Sequence, residues 1–195
     1  MSIGTVAKYR PYYKRFKKIR LKRYNNWNTE FWVDVRKKKW QKFFLNELVP
    51  QLKKKGIDGL WVDNTDVYYE FPKKKIFKAL VYMLKKVKKM KLPVIINGGD
   101  VFVDKLIEKK KQKLIKGVMQ EEVLTVIADY DRGIFERAGA DDYIYFTSYV
   151  QRCKKAGIKV SLLEYTRDPL MKKEIIDYCN QNGFNYYICD NVMLK

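Results

Sequence analysis

The chain has 195 residues, enough for one domain with a sizeable core, and carries 42 basic and 22 acidic residues for a formal charge of +20. It has no histidine, which excludes Ser-His-Asp and Cys-His catalysis and His-ligated zinc. Cys153, Cys179 and Cys189 have no metal-binding spacing and read as small buried residues, so Asp, Glu, Lys, Tyr and Cys are the acid–base groups that remain.

Taken in order, Met1 to Gly4 reads as the end of a strand. Tyr9 to Arg23 interleaves aromatic and cationic residues, which suits stacking on bases or sugars and equally suits a surface loop or short helix. Asn25 to Asn28 is a polar turn. Trp27 and Trp32 flank Glu30, and Val33-Asp34-Val35 leads into a helix near Lys38 to Lys55, with Pro50 kinking it. Gly56 ends that helix. Gly59 to Val62 is then short, bulky and bounded by turn residues, so it reads as a buried strand, and it ends in Asp63-Asn64-Thr65-Asp66.

The same unit of helix, break, apolar strand and polar strand end then recurs. A helix over Lys74 to Met90 precedes a strand over Pro93 to Ile96, which ends in Asn97-Gly98-Gly99-Asp100. A helix over Val101 to Lys113 precedes a strand over Gly117 to Met119, which ends in Gln120-Glu121-Glu122. A helix from about Asp142 to Lys155 precedes a strand over Val160 to Leu163, which ends in Glu164-Tyr165. Asp168 as N-cap, Pro169 in the first turn and Gly183 past the end bound the last helix, before a strand over Tyr186 to Cys189 and the pair Asp190-Asn191.

Strands alternating with such helices predict a parallel α/β sheet. Asp63, Asn97, Glu121, Glu164 and Asp190 stand at five strand ends. A (β/α)8 barrel gathers residues from every strand end, whereas a doubly wound sheet concentrates function at one switch point, so the pattern favours a TIM-barrel-like fold over residues 1–195 as a single domain. A strand-end Asp can also cap the next helix, which is the plain structural alternative for Asp63 and Asp66. Carboxylates without His or Cys neighbours leave two chemistries: a hard-cation site, or a carboxylate pair flanking a glycosidic bond. Trp32, Trp61 and the tyrosines offer apolar platforms for sugar rings and favour the second. Glu121 and Glu122, adjacent on a strand, should point to opposite sides.

GIDGLWVDNTDVYY, VIINGGD, GVMQEEV and VSLLEY, preceded by IGTVAKYRPYY and NTEFWVDVRKKKWQ, resemble the endo-alpha-1,4-polygalactosaminidase family of glycoside hydrolases, in order and over essentially the whole chain. The resemblance implies a secreted (β/α)8-barrel hydrolase of an amino-sugar polysaccharide that needs no cofactor or metal. It implies Asp63 and Glu121 as the catalytic pair, with Glu121 as general acid/base and Asp63 as nucleophile or stabiliser, or the reverse. It places Asn64, Asp66, Asn97, Asp100 and Gln120 around the pocket, and Glu122, Glu164 and Tyr165 join them as substrate-binding candidates from their strand ends. The chain departs from the family at Ala7, where an acidic residue is common, and in starting at the end of what corresponds to the third barrel strand, without two strands or a signal peptide. The expectation is therefore a partial barrel whose open edges favour oligomerisation, at the cell wall or outside the cell by resemblance, or in the cytoplasm if this start is genuine. The +20 charge should repel a deacetylated, cationic polymer, which leaves room for an acetylated or anionic glycan. It favours polyanions such as nucleic acid, an anionic membrane or an anionic cell wall, although the lysine runs at helix faces and helix C-termini read mostly as solvated surface and argue against a dedicated nucleic-acid reader. The rival class is an inactive basic module that binds carbohydrate or nucleic acid. No run approaches the ~20 apolar residues of a membrane helix.

Overall fold

The computed structural model describes residues 1–25 and 27–192. The chain condenses into two compact units, Met1–Lys116 and Gly117–Lys195. No helix among the described residues is long and apolar enough to cross a membrane.

The first unit opens with a sheet that the sequence pattern did not reveal. β1 (Thr5–Ala7), β2 (Arg20–Arg23) and β3 (Glu30–Val33) form an antiparallel sheet in the order β1-β3-β2. The aromatic-basic segment between β1 and β2 is neither plain loop nor α-helix: Tyr13–Ile19 winds as a 3-10 helix and buries Phe16 against Trp40 and Phe43. The expected helix from Lys38 is continuous but irregular. α1 (Lys38–Phe43) and α2 (Val49–Lys53) are joined through a π-helical stretch, Phe44–Leu48. Pro50 accounts for it, since a proline ring inside a helix clashes with the carbonyl four residues back and supplies no N–H, and a wider turn relieves both.

β4 (Leu60–Val62) and β5 (Val94–Asn97) pair in parallel, with Trp61 opposite Ile95. α3 (Val67–Glu70) follows β4, and α4 (Lys74–Lys89) runs back with Ile76, Leu80, Met83, Leu84 and Val87 buried. α5 (Asp100–Glu108) stops short of the expected Lys113, because Lys110 takes φ 53 and the chain turns into a 3-10 turn at Gln112–Leu114. The remnant expected at Met1 to Gly4 is present as a parallel bridge between Ser2 and Asp63.

In the second unit β6 (Gly117–Glu121), β9 (Lys159–Tyr165) and β10 (Asn185–Cys189) are parallel, with β9 central. β7 (Thr125–Asp129) and β8 (Ile134–Arg137) form a hairpin, also absent from the sequence reading. α6 (Ala140–Lys155) and α7 (Pro169–Asn182) supply the returns, and α7 has the predicted ends: Asp168 Oδ1 accepts from Leu170 N–H at 3.0 Å, and Gly183 closes it at φ 64. The three cysteines are free and buried, as expected. Two parallel strands in the first unit and three in the second, among the described residues, set against the eight of a closed barrel, match the strand count read from the sequence.

Gly4 is fixed by contact. A Cβ there would lie 2.0 Å from the backbone oxygen of Asn64, and neither chain can yield without breaking the Ser2–Asp63 bridge. Gly4→Ala should therefore destabilise the protein by at least about 2 kcal/mol, the scale of overpacking against an unyielding backbone. Urea unfolding of the variant checks this, and an unchanged midpoint would mean that this approach is looser in solution.

Candidate active site

In the first unit the strand ends form one polar surface. Alternation along β4 puts Leu60 and Val62 in the core and turns Trp61 and Asp63 to the other face, where Trp61 is 43% exposed. The backbone of Asp63 is paired on both sides: its N–H donates to Met1 O at 2.9 Å and its carbonyl accepts from Ile3 N–H at 3.0 Å. Its carboxylate Oδ1 accepts from the Asn97 amide at 2.9 Å, which orients the group without cancelling its charge. Asn64 takes the left-handed conformation, φ 62, which Asn tolerates better than most residues. Its amide donates to Ser2 Oγ and Thr5 Oγ1, both at 3.1 Å, and Thr5 Oγ1 donates to Glu30 at 2.6 Å.

Asp66 begins α3, yet its side chain makes no capping hydrogen bond to that helix. Burial pushes its carboxyl up to about 6, and the charges of Asp100 and Asp63 add to this, while hydrogen bonds from the backbone N–H groups of Asp66 and Gly99 oppose it. Gly99 has to be glycine, since a Cβ would fall 1.9 Å from the fully buried Thr65 hydroxyl, and its φ is 70. Tyr24 completes the surface. Its ring lies on Trp32 with centroids 4.4 Å apart, and its hydroxyl is pushed up to about 12 by burial and by the carboxylates of Asp66, Glu30, Asp63 and Glu70. Tyr24, Ser2, Thr5 and Glu30 were not singled out as site residues by the sequence reading; a hairpin read across the Asn25–Asn28 turn would have brought Tyr24 and Glu30 forward. Trp32, expected as a sugar platform, is 1% exposed and belongs to the core, because β3 turns it inward.

In the second unit β6 presents Glu121 at its end, and Glu121 Oε2 accepts from the Tyr165 hydroxyl at 2.9 Å. Burial is the first cause raising the Tyr165 hydroxyl pKa far above its ordinary value, followed by the charge of Glu121 and the hydrogen bond to it. Phe135 of β8 packs on the Tyr165 ring with centroids 5.9 Å apart, and the Arg167 guanidinium lies over Phe135. Tyr165 is thus held as a donor to Glu121.

Three of the substrate-binding candidates take structural positions instead. Gln120 points to the opposite face of β6 from Glu121 and is buried, with its amide nitrogen on the Glu121 carbonyl at 2.9 Å. Glu122 does not continue the strand alternation. It turns to φ 58, and its carboxylate accepts from Ile127 N–H at 2.5 Å, with burial raising its pKa. Glu164 is fully buried, and its carboxylate accepts from the N–H groups of Val123, Leu124 and Thr125 at 3.0 to 3.2 Å and from Thr125 Oγ1 at 2.7 Å. Burial still pushes the Glu164 carboxyl up to about 7 against those donors. The hydroxyl of Thr125 then accepts from Tyr165 N–H at 3.0 Å. Glu164 therefore anchors the 122–125 turn. Asp190 is exposed beside Asn191, whose amide donates to it at 2.9 Å.

Each unit thus presents a carboxylate at a parallel strand end, Asp63 with the Asn97 amide on it and Glu121 with the Tyr165 hydroxyl on it. Among the described residues no group of three or more Asp, Glu, Cys or His side chains is placed to hold a metal ion.

A family profile described as glycoside-hydrolase family GH114 matches residues 1–192. A search of curated proteins gives no match. Among solved structures, the glycoside hydrolase domain of PelA from Pseudomonas aeruginosa is similar over 100% of this chain and 77% of its own, at TM-score 0.75 and 16% identity. A variant of that domain gives TM-score 0.79 over the same shares. Aspergillus fumigatus Ega3, solved in complex with galactosamine, is similar over 100% of this chain and 74% of its own, at TM-score 0.69 and 18% identity. At these identities the likeness concerns the fold.

Two outcomes follow from the buried carboxyls. Glu164→Ala strands four backbone and side-chain donors in the interior and should cost about 3 kcal/mol or more in urea unfolding, the scale for removing one partner of a buried charged network. Asp66 binds its proton more tightly folded than unfolded, so its contribution is full below the unfolded value near 4 and is lost as pH rises through about 6. Stability should fall across that window by roughly 3 kcal/mol on its account, and Asp66→Asn should flatten the slope. A variant that kept the wild-type pH slope would place the titration elsewhere.

Proposed function

Because the chain belongs to glycoside-hydrolase family GH114, we propose that it hydrolyses glycosidic bonds in an amino-sugar polysaccharide, with Asp63 and Glu121 as the two carboxylates. The match over residues 1–192 carries the reading. It is supported by the place of each carboxylate at the carboxyl end of a parallel strand, where barrel enzymes build their sites. The galactosamine bound by Ega3 supports the substrate class.

Glu121 protonates the glycosidic oxygen as the bond to the anomeric carbon breaks, and Asp63 stabilises the oxocarbenium-like centre or attacks it. Glu121, now a carboxylate, then takes a proton from the incoming water. Tyr165 orients Glu121, and Asn97 orients Asp63. Asn64, Asp66 and Asp100 line the sugar from the first unit, and Trp61 offers its exposed face to a ring. The +20 charge does not argue against a cationic sugar at this place. Asp63, Asp66, Asp100 and Glu30 make the strand ends of the first unit locally acidic. The enzyme works where such a polymer is found, at the cell wall or outside the cell.

Release of reducing ends from a galactosamine polymer, deacetylated and N-acetylated, tests the proposal. Asp63→Asn and Glu121→Gln should each lose at least ~100-fold in kcat/KM while remaining folded by circular dichroism. Undiminished hydrolysis by either variant would remove that residue from the pair. Absence of hydrolysis by the wild-type chain on both polymers, with retained binding, would favour a binding module.

A further inference from the structure

The positive charge is confined to one unit. Residues 1–116 carry 32 of the 42 Lys and Arg and 10 of the 22 Asp and Glu, a formal +22, whereas residues 117–195 carry 10 and 12, a formal −2. A general lysine bias in the sequence would have marked both units.

Within the first unit α4 carries seven of the 32 basic residues, all on its outer face. Lys74, Lys75, Lys78, Lys85, Lys86, Lys88 and Lys89 are all exposed, and α4 contains no acidic residue. Lys74, Lys78, Lys85 and Lys89 fall on one stripe at 3.6 residues per turn, about 22 Å long at 1.5 Å per residue. None of the seven forms an ion pair among the described residues. Neighbouring segments extend the face at the carboxyl end of the helix: Lys53 Nζ reaches Met90 O at 3.3 Å, and Lys88 Nζ reaches Lys113 O at 2.7 Å. The carboxylate nearest in sequence to Lys109 to Lys113, Glu108, is already held by Lys105 and Lys109.

Helix stability does not explain this pattern. Lysines at a helix C-terminus interact favourably with the dipole, which accounts for Lys86, Lys88 and Lys89. Lys73, Lys74 and Lys75 stand at the opposite end, where the dipole disfavours cations, and Lys73 makes no capping hydrogen bond. Lysines four apart, such as Lys74 with Lys78 and Lys85 with Lys89, repel one another. The face is electrostatically unfavourable until an anion covers it.

We infer that the outer face of α4, with Lys74, Lys78, Lys85 and Lys89 as its central stripe, binds the phosphate backbone of nucleic acid without reading sequence. Duplex DNA carries one charge per about 1.7 Å of axis, dense enough to give every lysine of the stripe a phosphate. A membrane surface fits less well, since a helix lying in one needs large apolar side chains on the buried side. The exposed face of α4 offers only Tyr82, with the Lys86 ammonium over its ring at 5.6 Å. The inference is independent of the carboxylates and of the hydrolase reading.

Fluorescence anisotropy of a labelled DNA duplex of mixed sequence, titrated with the full chain across a series of NaCl concentrations, tests it. The wild-type chain should bind, with log K falling linearly in log salt. Lys74→Gln/Lys78→Gln/Lys85→Gln/Lys89→Gln should bind at least ~10-fold more weakly at low salt and reduce the slope by about 3 to 4, near 0.9 per lost phosphate contact. Hydrolase activity and thermal unfolding of that variant should match wild type. Lys154→Gln/Lys155→Gln/Lys172→Gln/Lys173→Gln, in the second unit, should keep the wild-type slope. No duplex binding by wild type at low salt would overturn the inference, even where vesicles rich in phosphatidylglycerol are bound. An unchanged slope in the α4 variant, or an equal loss in the second-unit variant, would overturn it too.

Discussion

The second unit is organised by a carboxylate that never meets solvent. Glu164 lies in the interior at the end of β9 and collects the N–H groups of three successive residues, Val123 to Thr125, together with the Thr125 hydroxyl. Burying a carboxylate costs several kcal/mol unless donors replace its water, and a turn with three converging N–H groups costs comparably unless an acceptor is found. Each offsets the other. The consequences run outward: the turn is fixed, β7 starts in a defined direction, and Thr125 passes a further hydrogen bond to the backbone of Tyr165. Tyr165 then holds Glu121. A residue whose place at a strand end suggests substrate binding thereby serves the carboxylate one parallel strand end earlier.

The first unit solves the same problem with neutral groups. The loop after β4 has to turn sharply beside residues Ser2 to Thr5, and Asn64 enables this through its left-handed backbone and a side-chain amide with two acceptors. Gly4 supplies the space. Asp63 is then left with one amide donor, from Asn97, and with backbone pairing on both sides. A rigid backbone beneath the Asp63 carboxylate, with the Asn97 amide on it, fixes the direction that the acid–base or nucleophilic role proposed for it would need.

The parallel strands and their return helices were legible because period-2 and period-3.6 patterns of Leu, Ile and Val are set by burial, and burial dominates their energetics. α7 was legible to its caps for a local reason: Asp168, Pro169 and Gly183 each satisfy a need of the helix end irrespective of the rest of the chain. The two antiparallel sheets were missed where charge masks alternation. Arg20–Arg23 is a strand whose outward residues are cationic, and β7–β8 lies between two helices with stronger periodicity. The sequence located the strand-end polar residues, but not which way each faces. A single left-handed residue at Glu122 replaced the alternation that should have separated it from Glu121, and Glu164 lies on the other face from Tyr165. Trp32 failed as a sugar platform for a related reason: an aromatic residue beside polar ones reads the same whether it faces the core or the solvent.

The net charge of +20 and an amino-sugar substrate conflict only if charge is treated as a property of the whole molecule. At physiological ionic strength exposed charges are screened over about 8 Å, whereas half-buried charges are screened much less. The α4 lysines are exposed. Asp63, Asp66 and Asp100 are half-buried, and Asp66 senses the other two strongly enough to shift its proton affinity. In the proposed reading, a sugar at the strand ends therefore meets the field of the nearby carboxylates. The α4 lysines, on the face proposed above to bind a polyanion, act through a separate contact. One chain can in this way hold to a polyanion while presenting an acidic site to a cationic chain, and the two functions vary independently because few charges serve both.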